Sequence, residues 1–94
     1  MTAVHAQDPR GTINGQVTDI SGALVPNVAV RITNAATSVS ASDRSNNQGA
    51  YEVPYLNPGI YRVEAEVPGF RKWTQSEITL RTGDRLRLDI TLTP

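Results

Sequence analysis

The chain has 94 residues, enough for one domain and too few for two. Nine Lys and Arg residues balance nine Asp and Glu, so the chain lacks the basic excess with which nucleic-acid-binding proteins displace counterions. It has no cysteine, which excludes a disulfide framework, a thiolate metal site and a cysteine nucleophile.

Residues 1–10 read as a lead-in. Val4-His5-Ala6 followed by Gln7 has the small-x-small pattern that signal peptidase cuts after, so the expectation is the remnant of an export signal or a disordered N-terminus. No segment approaches the roughly 18–20 apolar residues of a membrane-spanning helix. From Gly11 onward apolar residues recur with period two, and the helical i, i+3, i+4 pattern is nowhere sustained. Thr12 to Asp19 places Ile13, Gly15 and Val17 on one face, and Asp19-Ile20-Ser21-Gly22 closes the run with turn chemistry. After Pro26-Asn27, Val28, Val30 and Ile32 point inward. Residues 37–44 form a polar strand with few apolar side chains, which places it at a sheet edge. Asn46-Asn47-Gln48-Gly49 reads as a hairpin turn. Tyr51, Val53 and Leu56 follow, with Pro54 confined to an edge or a bulge because it lacks the ladder N–H. Asn57-Pro58-Gly59 turns the chain into a clear strand, Tyr61, Val63, Ala65 and Val67 against Arg62, Glu64 and Glu66. Pro68-Gly69 interrupts before Phe70, and residues 71–81 read as an irregular segment ending in Ile78-Thr79-Leu80. Thr82-Gly83-Asp84 makes a turn into one last strand, Leu86, Leu88, Ile90 and Leu92 against Arg87, Asp89 and Thr91. Seven strands at spacings of about 8–12 residues are the signature of a β-sandwich.

The turns and strands together resemble a known module. Gly11 to Asp19, followed by Ser21-Gly22-Ala23-Leu24-Val25-Pro26-Asn27-Val28, is similar to the opening of carboxypeptidase regulatory-like domains. Gln48-Gly49-Ala50-Tyr51, Leu56-Asn57-Pro58-Gly59-Ile60-Tyr61-Arg62-Val63 and Pro68-Gly69-Phe70 continue the pattern in order, so the domain is expected over residues 11–94. The resemblance implies an all-β, seven-stranded Greek-key β-sandwich of the prealbumin-like (transthyretin-like) kind. It is closest to copies at the periplasmic N-terminus of TonB-dependent outer-membrane receptors, behind the signal peptide and ahead of the plug and barrel. It therefore implies an exported, non-catalytic accessory module without a cofactor. Its partners would be the rest of its own receptor chain or a periplasmic protein.

The residues agree with a module that is not an enzyme. The only histidine is His5, in the lead-in, so Ser-His-Asp chemistry and His-based metal binding lack their central residue. Hydroxyisourate hydrolases share the transthyretin fold, but the chain has neither their several histidines nor their C-terminal tyrosine motif. Glu64 and Glu66 lie on one outward face about 7 Å apart, a spacing open to acid/base chemistry but equally that of a solvated face. Asp19, Asp43 and Asp84 sit in or beside turns without a calcium-loop pattern, which points to turn capping. The sole lysine, Lys72, falls too late in the chain for the internal isopeptide of related adhesin repeats. Tyr51, Tyr61 and Phe70 take inward positions. Trp73 and Tyr55, with Arg71 and Lys72, remain as candidate contacts to a glycan, a peptide or a partner protein; Trp73 reads equally as a cover over the open end of the core. The alternative function is thus a carbohydrate- or peptide-binding sandwich of a secreted or cell-surface protein.

Overall fold

The computed structural model describes residues 8–94; the export-like Val4-His5-Ala6 lies outside the described residues. Eight strands form two sheets, and no helix occurs among the described residues. The strands are β1 (Gly11–Asp19), β2 (Ala29–Asn34), β3 (Ser40–Arg44), β4 (Ala50–Leu56), β5 (Gly59–Glu66), β6 (Trp73–Leu80), β7 (Arg85–Arg87) and β8 (Ile90–Leu92). One sheet runs β4-β1-β7, with β8 also paired to β1; the other runs β3-β2-β5-β6. Alternation buries one face of each sheet against the other, as the strict burial pattern of β1 illustrates. Ile13, Val17, Val28, Val30, Ile32, Val63, Ile90 and Leu92 are fully enclosed between them. Tyr51, Tyr61, Val63 and Ile90 are buried and Arg62, Arg87 and Asp89 exposed, so the register read from the sequence holds.

The C-terminal run differs from the single strand expected. It pairs with β1 in parallel twice, Thr12 to Asn14 with β7 and Val17 to Asp19 with β8, and breaks at Leu88-Asp89. The cause is a close crossing at Gly15: a Cβ there would stand 1.9 Å from the Leu88 carbonyl oxygen. The Leu88 N–H donates to the Asn14 carbonyl (2.7 Å), the Tyr51 hydroxyl donates to the Leu88 carbonyl, and the Gln16 N–H donates to the Asp89 carboxylate (2.9 Å). These bonds satisfy the backbone where the ladder is interrupted. Leu88 is consequently only half-buried, as is Phe70, both expected in the core.

Two bulges account for further departures. In β4, Gly11 pairs with Leu56 and Ile13 with Val53, so Pro54 and Tyr55 together face Thr12. In β6, Tyr61 pairs with Ile78 and Val63 with Gln75, so Ser76 and Glu77 face Arg62. Each extra residue reverses the inward phase, and each bulge carries a positive φ, 62° at Tyr55 and 59° at Glu77. Residues 73–80 are therefore a strand, and their irregular appearance in sequence is the phase reversal at Ser76-Glu77.

Asn46 to Gly49 turns the chain from the β3 edge of one sheet to the β4 edge of the other, instead of joining a hairpin within one sheet. Asn46 Oδ1 accepts the N–H groups of Gln48 (2.9 Å) and Ala50 (3.0 Å), and Gly49 takes φ 72°. Gly59, in the turn Asn57-Pro58-Gly59, has no positive φ and lies in the regular opening of β5. Residues 37–39 belong to the turn before β3, with Ser38 at φ 61°; β3 itself is an edge strand, as its polarity requires.

Candidate functional site

β1 starts at one end of the sandwich and β8 finishes at the other, since the two are parallel neighbours with Asp19 opposite Leu92. Along β1 the separation of the two ends is about 26 Å at the rise of an extended strand. The candidate contact residues divide between these ends. Tyr55 stands beside the start of β5, where Gly59 pairs with Leu80; Trp73 pairs with Ala65, six residues further along β5 and about 20 Å away. The sandwich does not bring the four residues into one patch.

At the exit end, Trp73 is half-buried and packs with Val67 and Phe70 against the core. Arg71 donates its N–H to the Thr93 carbonyl (2.7 Å), tying the last residues to this end. Lys72 Nζ lies 2.7 Å from Glu64 and 3.7 Å from Glu66. Glu64, expected to be fully exposed, has a side chain only 14% exposed because Lys72 and Arg62 close over it. The Lys72 ammonium holds the Glu64 carboxyl below the usual glutamate range, and Glu64 in turn raises the lysine. A carboxylate so held stays ionised and is unsuited to donate a proton, so the Glu64–Glu66 pair works as an ion-pair cluster.

Asp19, Asp43 and Asp84 accept backbone N–H groups, Asp43 from within β3. Asp19 accepts the N–H groups of Ser21 (2.8 Å) and Ala23 (3.1 Å), Asp84 that of Arg81 (2.8 Å), and Asp43 those of Arg44 (2.8 Å) and Glu52 (2.9 Å). Hydrogen bonding by Ser21 holds Asp19 below its ordinary value despite a small opposing cost of desolvation. Among the described residues, no three His, Asp or Glu side chains converge to hold a metal ion.

The entrance end carries a groove of about 650 Å³ between the turn after β2 and the β4–β5 connection. Tyr55 is 71% exposed there, and Val39 (69%) and Ile60 (50%) line the same groove. Around them stand the uncharged polar side chains of Asn34, Thr37, Ser40 and Asn57. The bulge at Pro54-Tyr55 turns the Tyr55 ring outward where the strand's phase would otherwise place a residue differently. The Arg10 guanidinium lies 4.9 Å from the ring centroid, within cation–π range, and is itself paired with Asp8 at 2.7 Å. Tyr55 was legible as a candidate; Val39 and Ile60 were not singled out. The signal for Ile60 was its register, since an inward Tyr61 forces its neighbour outward.

Two sheets packed face to face, one with β1 at its centre between antiparallel β4 and a parallel edge made by β7 and β8, define a prealbumin-like β-sandwich module. The sequence matches the carboxypeptidase regulatory-like domain over residues 12–93, and the chain belongs to that family. A search of curated protein sequences gave no match. Among solved structures, the chain is similar to hydroxyquinol 1,2-dioxygenase from Pseudomonas putida (10% identity, TM-score 0.71, covering 94% of this chain and 57% of that one). It is also similar to a proposed carbohydrate-binding protein from Bacteroides uniformis (20%, TM-score 0.70, 87% and 40%). A third similar structure is a streptococcal ancillary pilin (12%, TM-score 0.69, 94% and 33%). The chain thus spans less than two-thirds of each of these proteins, and the shared feature is the sandwich.

Proposed function

We propose that this domain is a non-catalytic accessory module of a TonB-dependent outer-membrane receptor, working in the periplasm ahead of the plug and barrel. The observation that carries this reading is the path of the chain. β1 and β8 run parallel, so the polypeptide passes from one end of the sandwich to the other, a path that suits a module placed in line within a receptor chain. The Arg71–Thr93 hydrogen bond fixes the exit. Membership of a regulatory-like family and the signal-peptidase-like pattern at Val4-His5-Ala6 support the same reading. The test is deletion of residues 11–94 from the full-length receptor, followed by uptake and receptor-abundance measurements. Loss of abundance assigns a structural role, and loss of uptake at normal abundance assigns a docking role. An unchanged receptor on both counts leaves the module without an accessory function.

A second reading, binding of a carbohydrate or a peptide, is favoured by the exposed Tyr55 on its bulge and by the groove beside it. The likeness to a proposed carbohydrate-binding protein supports this reading at the level of fold.

A further inference from the structure

We propose that the groove at the entrance end binds a neutral oligosaccharide, with Tyr55 as the platform for one pyranose ring. This deepens the binding reading and is independent of the receptor context. Three features of the groove select the ligand.

The first is charge. None of the described residues lining the groove is charged, although charged residues make up 19% of the chain. An acidic or basic ligand would give up hydration there without gaining a free opposite charge, since the nearby Arg10 is already paired with Asp8.

The second is the state of the neighbouring sheet edge. β3 borders the groove through Ser40 and Ala41, and an extended peptide could add to an open edge. This edge is only five residues long and is blunted. Asp43 spends one carboxylate oxygen on the Arg44 N–H (2.8 Å) and the other on the Glu52 N–H of β4 (2.9 Å), bridging the gap between the sheets. A charged side chain placed on an edge in this way discourages strand addition.

The third is the pairing of an apolar floor with neutral donors. Tyr55, Val39 and Ile60 offer apolar surface, which matches the C–H face of a pyranose. Asn34 commits its Oδ1 to the N–H groups of Ala36 (2.9 Å) and Thr37 (3.1 Å), so its amide NH₂ at the groove wall is left to donate to a hydroxyl. Ser40 and Asn57 supply further neutral partners. Arg10 is not part of the lining and braces the tyrosine ring from outside the groove. Tyr55 also holds φ 62°, a conformation that glycine adopts without steric cost, yet a large exposed aromatic occupies it. Nothing in the core requires that side chain, whereas a ligand platform does.

The test is amide NMR titration of the full chain with maltotriose, cellotriose and triacetylchitotriose, alongside a trigalacturonate and an uncharged Ala-Val-Thr hexapeptide. At least one neutral trisaccharide should shift the amides of Val39, Tyr55 and Ile60 saturably. Tyr55→Ala should weaken that binding at least about tenfold. Tyr55→Gly should lose binding while keeping the wild-type melting temperature, which separates a ligand role from a structural one. Ile20→Ser, at an exposed apolar residue outside the groove, should leave both unchanged. Binding of the hexapeptide or the trigalacturonate in place of neutral sugars overturns the oligosaccharide assignment but keeps a binding groove. Absence of binding by every probe, or sugar binding that survives Tyr55→Ala, overturns the site itself.

Discussion

Gly15→Ala probes the point where the chain is most tightly constrained. A methyl carbon at Gly15 would stand 1.9 Å from the Leu88 carbonyl oxygen and 2.6 Å from its carbonyl carbon, where real contacts of this kind do not fall below 3.0 Å. The Leu88-Asp89 segment must therefore retreat by about 1 Å, since the contacting atoms are backbone and cannot rotate away. That retreat stretches the Leu88–Asn14 bond (2.7 Å), the Gln16–Asp89 bond (2.9 Å) and the bond from the buried Tyr51 hydroxyl. Two weakened bonds at ~1 kcal/mol each, and a stranded buried hydroxyl at ~1–3 kcal/mol, give a loss of about 3–5 kcal/mol. A domain of this size holds roughly 5–14 kcal/mol in all. At ~4–8 °C per kcal/mol the melting temperature falls by at least about 12 °C. Circular dichroism melts of wild type and Gly15→Ala measure this directly. Gly83→Ala is the control, because its added Cβ meets open space and only φ +71° opposes it, a cost of about 1 kcal/mol. A Gly15→Ala melting temperature within about 5 °C of wild type would refute the crossing as the cause of the broken strand.

Three other outcomes follow from single side chains. Ser45→Ala removes a buried hydroxyl that accepts the Val28 N–H (2.9 Å) and donates to the Val25 carbonyl (2.8 Å), so urea denaturation should show a loss of about 1–3 kcal/mol. Thr33→Val replaces a buried hydroxyl with no partner among the described residues by an isosteric methyl, and should leave stability unchanged or raise it by about 1 kcal/mol; a loss would show that the hydroxyl is bonded after all. Partial burial opposes the charge on Asp89, but the Gln16 N–H and the Arg87 guanidinium outweigh it and hold the carboxyl below the usual aspartate range. Its contribution is fully present above the ordinary value of about 4 and is lost as pH falls through the lower folded value, so Asp89→Asn should flatten part of the acid limb in urea melts.

The fold was legible wherever the period of two ran unbroken. β1 and β5 show it, because every inward residue from Ile13 to Val17 and from Tyr61 to Ala65 lies two apart. It was obscured at β6, where two residues against Arg62 shift Ile78 and Leu80 out of phase with Trp73. A bulge leaves no marker in sequence when its residues are Ser76 and Glu77, neither a glycine nor a proline. The break at Leu88 was hidden for the opposite reason, since Leu86, Leu88, Ile90 and Leu92 alternate correctly while the obstacle is the backbone of a strand more than seventy residues earlier. The candidate site was legible in part. Pro54 marked an edge or a bulge in the sequence, but that the bulge turns Tyr55 outward against the phase of Tyr51 and Val53, and that Trp73 lies at the far end, required the strand pairing.

The in-line receptor module is tested most directly by locating the chain in the cells that make it. An antibody raised against residues 11–94 should detect, in the outer-membrane fraction, a polypeptide far larger than the 10.2 kDa of these 94 residues. Protease should remove the epitope only after the outer membrane is permeabilised, as expected for a module on the periplasmic side. Detection in the cytoplasmic fraction, or loss of the epitope from intact cells, would contradict it.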